Sequence, residues 1–418
     1  MRPILFCVIC LICTAMTAHA QNNTSPYSII GIGDLEKSSF DRTSGMGHAG
    51  IALSSNRFLY QANPASYASI DEHFFYFELS TRYKSVGYSG TPISDPTQSQ
   101  SSDVQFKKIA LAIKPKRKWA VSIGLLPFST VNYSFNGKKD VLGTPITTDA
   151  YYEGSGSTNQ VYIANSYSIN KNLSIGLQAS YLFGQIQETE TLSETLTDSS
   201  LVTNRNIFLG NLYFKAGFQY KAKLNNKWGI AIGGTASNKT RLRADYALLV
   251  KDGNTTIINN EFYKSNYFTL PVTYTGGIAA QYKGAYTFAV DYNYQGWSDL
   301  NYKGINYSLV NSTRLSVGAE YSNKLTYLNQ TYEKYFLQTG FFYNNSYLRI
   351  AGQQLTDVGA TFGAGVLLNR SGLGLQGDLE VGQRGTTVNG LIKEKYTQFN
   401  VTISYRDFWV SRKLKKYD

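Results

Sequence analysis

Beyond residue 13 this sequence has no cysteine; Cys7, Cys10 and Cys13 all lie at its extreme N-terminus. That excludes disulfides, thiol catalysis and cysteine-held metal from the rest of the chain. Histidine is almost as scarce. After His19 only His48 and His73 remain, too few for a recognisable zinc spacing, and neither neighbours a conspicuous serine motif. The pair Gly276-Gly277 lacks the Lys-Ser/Thr of a phosphate loop and reads as strand packing. Basic residues are scattered over turns rather than gathered in a stripe with interleaved aromatics, which argues against nucleic acid as a partner. These absences predict no enzyme activity, no cofactor and no metal site. Proline is rare, with 9 in 418 residues. After residue 20 no apolar run approaches the ~20 residues that a membrane helix needs.

What is present points to export and to a sheet. Arg2, an apolar run from Ile4 to Met16 and Ala18-His19-Ala20 have the layout of a secretory signal peptide, residues 1–20. Ile12 before Cys13 is not the small residue that precedes a lipidated cysteine. The chain carries 33 Tyr, 22 Phe and 37 Gly with a net charge of +12. In an exported chain this basic balance suits an anionic membrane surface. Aromatic and glycine richness at modest hydropathy suits a membrane barrel, whose strands hide half their residues from lipid.

Alternation separates a barrel from a soluble sandwich. Phe399, Val401, Ile403 and Tyr405 share one face, opposed by Asn400, Thr402, Ser404 and Arg406. Tyr286, Phe288, Val290, Tyr292 and Tyr294 oppose Thr287, Ala289, Asp291, Asn293 and Gln295, and Leu373, Leu375, Leu379 and Val381 oppose Gln376, Asp378 and Glu380. Acids and amides gathered on one face of successive strands fit a polar lumen. Short turns at 115–118, 170–172, 225–227, 283–285 and 369–372 alternate with longer polar stretches around 89–102, 137–157, 187–203, 252–266, 298–311, 346–356 and 384–395. The stretch 323–333 is long for its side. The pattern predicts an all-β fold, a transmembrane antiparallel barrel of about 14 strands over 74–409, with the short turns periplasmic. Trp119, Trp228 and Trp409 then fall at periplasmic strand ends, where an aromatic girdle belongs. Arg412, Lys413, Lys415 and Lys416 make a basic tail, 410–418, facing headgroups. Residues 21–73 have no long alternating run and read as an N-terminal hatch, or plug, within the lumen.

The hatch segment GMGHAGIAL (Gly45–Leu53), followed by Asn63-Pro64-Ala65, resembles the signature of the FadL (outer membrane protein P1) family. Leu270-Pro271-Val272, Asp291-Tyr292 and Trp297-Ser298 resemble that family's paired-strand motif. GQRGTT (Gly382–Thr387) and GLIKE (Gly390–Glu394) look like a Bacteroidota branch. Two departures stand out: Ser66 follows Asn63-Pro64-Ala65 where glycine is usual, and His48 occupies a place often held by glycine.

The resemblance implies a fourteen-stranded outer-membrane barrel with its hatch at the periplasmic mouth. It also implies capture of a hydrophobic small molecule or lipid, with sideways release through an opening associated with the third strand. Pro127 lies in that strand and cannot donate to the ladder, so a local gap is expected beside it. Pro271, by contrast, starts a strand. Asn63, Pro64 and Ala65 are the candidate gating residues. Arg57 and Arg82, the latter near Lys84, are candidates for an anionic head, or else ordinary lumen charges. Transport of hydrophobic compounds across the cell outer membrane is the first expectation. The alternative is a FadL-like barrel serving as a structural subunit or shuttle of an outer-membrane secretion or assembly complex, with protein partners. That role predicts a filled lumen. A small-molecule porin sits poorly with a hatch, and the ~22 strands of a TonB-dependent receptor would not fit the length.

Overall fold

The computed structural model describes residues 25–90, 99–140, 147–193, 200–304, 306–327, 330–368 and 372–408. Segment 1–20, expected as a signal peptide, Trp409 and the basic tail 410–418 lie outside the described residues. Fourteen antiparallel strands follow one another: β1 Phe74–Ser89, β2 Gln100–Lys116, β3 Trp119–Asp140, β4 Thr147–Ser168, β5 Leu173–Ser193, β6 Ser200–Lys223 and β7 Trp228–Ser237, continued by Thr240–Asp252. Then come β8 Thr255–Leu270, continued by Thr273–Tyr282, β9 Tyr286–Gln295, β10 Ser312–Tyr327, preceded by Tyr307–Leu309, β11 Gln330–Ile350, β12 Gln353–Leu368, β13 Leu373–Arg384 and β14 Lys393–Phe408. β14 pairs with β1 along its whole length, from Lys393–Ser89 to Phe408–Phe74, and closes the barrel.

Polarity is inverted relative to a soluble sandwich. Ile109, Leu111, Ile163, Leu177, Ile278, Phe341 and Phe399 face outward and are exposed, whereas Lys108, Gln178, Gln219, Thr361, Asp378 and Asn400 point inward and are buried. A belt of apolar side chains around a polar interior is what lipid on one side and a polar lumen on the other select. Two of the short turns share one device. Asn170 Oδ1 accepts from the Asn172 and Leu173 amides at 2.8 Å, and Asn225 Oδ1 from those of Lys227 and Trp228 at 2.8 Å. These asparagine turns place Trp228 at the start of its strand, as Trp119 starts β3.

At the opposite end, the strands continue through segments expected as loops. β3 runs to Asp140 and β4 resumes at Thr147; β5 runs to Ser193 and β6 resumes at Ser200. β7 ends at Asp252 and β8 begins at Thr255, and Ala351-Gly352 alone separates β11 from β12. The stretch 323–333 is likewise mostly ladder, Asn323 to Tyr327 pairing with Tyr335 to Gln330. Outside a lipid belt both faces of a strand meet polar surroundings, so alternation fades while hydrogen bonding persists. β3 to β8 consequently stand well taller than β12 to β14.

Among the irregularities of the wall, two bear on the sequence expectations. β2 and β3 pair from Lys116–Trp119 to Ile109–Leu125 and no further, while β3 bulges against β4 between Pro127 and Ser129. β7 and β8 are both interrupted at one level, Ser237 and Thr240 facing Thr273 and Leu270. Pro271 lies in that interruption, between two strand segments rather than at a strand's start.

Candidate functional site

Residues 25–73, the segment expected as the hatch, pack against inward-facing side chains of the wall as three 3-10 turns, Pro26–Ile29, Ser44–Met46 and Pro64–Ser69, and a two-residue strand, Asp34–Leu35. That strand takes the β3 edge that β2 leaves, pairing Asp34 with Thr130 and Leu35 with Ser129. The Glu36 amide donates to the Phe128 carbonyl at 2.9 Å and the Ser25 amide to that of Asn132 at 2.7 Å.

The hatch backbone approaches the wall closely because glycines line its bed on successive strands. A Cβ at Gly176 would strike Pro64, at Gly217 Asn63, at Gly233 Ile51, at Gly318 Met46 and at Gly340 Gly47. Polar side chains of the wall then reach the hatch amides. Asp291 accepts from the Gly50 and Ile51 amides at 2.6 and 2.9 Å, and Thr361 from that of Gly47 at 2.7 Å. His48 adopts a left-handed φ of 66°, which explains glycine's preference at that position. Here the imidazole is held by Glu380 at 2.8 Å and Ser38 at 3.1 Å.

Buried charges lock the hatch further. Arg42 Nε and Nη2 donate to both Glu320 oxygens at 2.8 and 2.7 Å, while Nη1 donates to Glu333 at 2.7 Å. Its guanidinium also lies 4.0 Å from the Phe336 ring centroid. On the far side Lys107 and Arg82 meet Glu36 at 2.9 and 3.5 Å, and Arg384 meets Asp34 at 2.7 Å. Burial raises the Glu36 carboxyl, but Lys107 and then Arg82 outweigh it and hold its pKa at about 2. Bidentate, desolvated pairs of this kind fix geometry as well as charge.

The candidate residues do not form one site. Asn63 caps the turn Pro64–Ser69 by accepting from the Ala65 amide, and donates to the Ile51 and Phe218 carbonyls at 2.9 Å. Pro64 and Ala65 pack on β5 and β6 through Gly176. Arg57 lies at the short-turn underside of the hatch, bonded to the Gly372 carbonyl. Arg82 is committed to Glu36. Pro127 lines a cavity of about 280 Å³ that also meets Lys37, His48, Lys215, Asp291 and Arg314. Arg82 lines a neighbouring one of about 110 Å³, the hatch segment 35–38 bordering both. Above them an apolar cluster from opposite walls, including Ile186, Ile207, Phe268, Trp297 and Leu348, packs on Ile30 and Ile32. Trp297 stacks on Tyr347 with centroids 4.5 Å apart.

Sequence reasoning missed the Arg42–Glu320–Glu333 triad, Glu36 with Lys107, and the glycine bed. The usable signal was acids at inward positions of β9, β10 and β13, which demand a cationic or amide partner, and the hatch was the nearest source.

In the comparisons, no curated protein sequence matches. Solved structures give the fold. A Pseudomonas aeruginosa FadL homologue aligns with a TM-score of 0.60 at 14% identity, over 91% of this chain and 100% of that one. The toluene transporter TbuX of Ralstonia pickettii aligns at 0.58 and 15%, over 88% and 97%. TodX of Pseudomonas putida, also a toluene transporter, aligns at 0.58 and 16%, over 91% and 100%. The barrel is thus FadL-like. The BamG family model matches residues 1–418, the whole chain, and this FadL-like barrel belongs to the BamG family.

Proposed function

We propose that this chain works in the outer membrane as a structural subunit of a barrel-assembly complex, with residues 21–73 as a fixed plug rather than a moving gate. The observation that carries this reading is the state of the lumen. The cavity beside Pro127, at about 280 Å³, falls just below the roughly 300–1,000 Å³ of ligand pockets, and Glu36, Lys37, Lys215, Asp291 and Arg314 lie among its lining residues. Packed side chains occupy much of the apolar space above it, and the cavity of about 410 Å³ left beside Ile30, Phe268 and Tyr302 is also bordered by Glu188, Glu190 and Arg205. The BamG match over the whole chain hints at an assembly complex and so supports the same role.

The test is purification of the tagged protein from its own membranes after in-cell cross-linking. A stoichiometric complex with other assembly subunits, and a fall in other outer-membrane barrels on depletion, are expected. A barrel that purifies alone with a stoichiometric hydrophobic compound would overturn the proposal.

That result would favour the second reading, transport. Its specific support is the separation of β2 from β3 beside Pro127. In that reading the hatch strand Asp34–Leu35 leaves the β3 edge, and a hydrophobic molecule escapes sideways into lipid. Asn63, Pro64 and Ala65 would be the hinge, and Arg57 and Arg82 would have to exchange their present partners for an anionic head.

A further inference from the structure

We propose that the short-turn mouth of the barrel is a docking site for an acidic peptide segment of a partner protein. This rests on the subunit role above and names the partner's chemistry. Beneath the hatch the mouth opens as a cavity of about 950 Å³, the largest of those described. Seven basic side chains and two acidic ones line it. Both acids, Glu320 and Glu333, are already bound to Arg42. Arg406 is paired with Asp71, whereas Arg57, Lys171, Lys221, Lys223 and Lys324 face the cavity with no acidic lining residue left to neutralise them.

A second observation is independent of this count. Arg57 is 8% exposed, and its Nη1 makes no hydrogen bond among the described residues. Burial, and then the neighbouring Arg406, hold the Arg57 pKa down to about 10. A buried guanidinium with an unused donor is under-compensated where it stands, and an incoming carboxylate would supply the missing acceptor. Lys221 and Arg406 are directed to Ser69 Oγ at 2.7 Å and Asp71 at 3.0 Å, which ties the charged mouth to the end of the hatch. Lys171, Lys223 and Lys324 are exposed at the rim of the mouth, and Arg57 is buried within the barrel, away from the lipid-facing belt. That placement favours a peptide over a lipid headgroup.

The probe is fluorescein-labelled octaglutamate, titrated by anisotropy against the full chain in phosphatidylcholine nanodiscs. Binding is expected, weakening steeply between about 50 and about 300 mM salt as screening grows. The exposed triple variant Lys171→Glu, Lys223→Glu, Lys324→Glu should lose at least about tenfold in affinity. The variant Lys116→Glu, Arg117→Glu, Lys118→Glu, on a short turn outside the cavity lining, should bind as wild type. Equal losses in the two variants, or no binding by the wild type, would overturn the docking site. So would phosphatidylglycerol that the wild type retains, the mouth variant releases and octaglutamate does not displace. Purification of the cellular complex separates this from the subunit role. Partners that survive the mouth variant overturn the docking site alone, whereas a wild-type barrel without partners overturns the subunit role.

Discussion

Replacing Arg42 by methionine should free the hatch locally. The guanidinium neutralises two carboxylates at once, with side-chain exposures of 5% for Arg42, 8% for Glu320 and 14% for Glu333. Methionine keeps much of the contact with Phe336 and Phe58 but strands both acids in the lumen. Breaking a buried pair from one side costs about 3–5 kcal/mol, equivalent to roughly a hundred- to several-thousand-fold in the docking equilibrium. Hydrogen exchange reads this directly at the Gly47, Gly50 and Ile51 amides, which are bonded to Thr361 and Asp291 rather than to hatch backbone. Their protection should fall by a comparable factor. The variant Arg42→Met, Glu320→Gln, Glu333→Gln should recover most of it, because no charge is left without a partner. Protection in Arg42→Met within about threefold of wild type would refute the idea that this triad holds the hatch.

Three further outcomes follow from the geometry. Gly340→Val should lose about 1–3 kcal/mol by overpacking, since a Cβ there meets the Met46–Gly47 backbone; Gly276→Val, with nothing within 4 Å of its Cβ, should unfold with the wild-type midpoint. Asn63→Ala should cost about 1–2 kcal/mol through the lost cap, seen as faster exchange at Ala65, while Asn63→Asp keeps the acceptor for that amide. Glu36 has a folded pKa of about 2 against about 4.3 unfolded, so its stabilisation is present above pH 4.3 and drains away as pH falls toward 2. Glu36→Gln should flatten that part of the acid dependence of the melting midpoint, and an unchanged profile would show that Lys107 and Arg82 do not hold the carboxylate.

The barrel was legible because alternation is local and lipid enforces it. Phe399, Val401 and Ile403 against Asn400, Thr402 and Ser404 declare their faces without help from any other strand. Strand ends were illegible where that pressure stops, so Asn323–Tyr327 and the tall ends of β5 and β6 passed for loops. The hatch was visible only as a lack of pattern. Its fixation depends on pairs such as Arg42 with Glu320 and Asp34 with Arg384, hundreds of residues apart, which no short window relates. Pro127 was a strong local clue, because a missing N–H has the same consequence in any strand. Arg57 and Arg82 were visible as charges, but their partners were not. The motif around Asn63-Pro64-Ala65 is local and was legible as a family resemblance, whereas the packing of Trp297, Phe268 and Leu348 above the hatch is assembled from segments far apart in the chain.

The unequal strand lengths give the barrel a front and a back. β6, with 24 residues, and β13, with 12, differ by about 40 Å in contour at ~3.3 Å per residue. At the usual tilt this is on the order of 30 Å in height, more than the ~25 Å apolar band itself. A neighbour whose body rises far outside the lipid can lie flush against the low flank, from β12 through β14 to β1. On the high flank, from β4 to β8, the same neighbour meets a standing palisade. Whatever shares the membrane with this barrel therefore meets two unlike flanks, and the side on which it can fit is set by height before any individual contact forms.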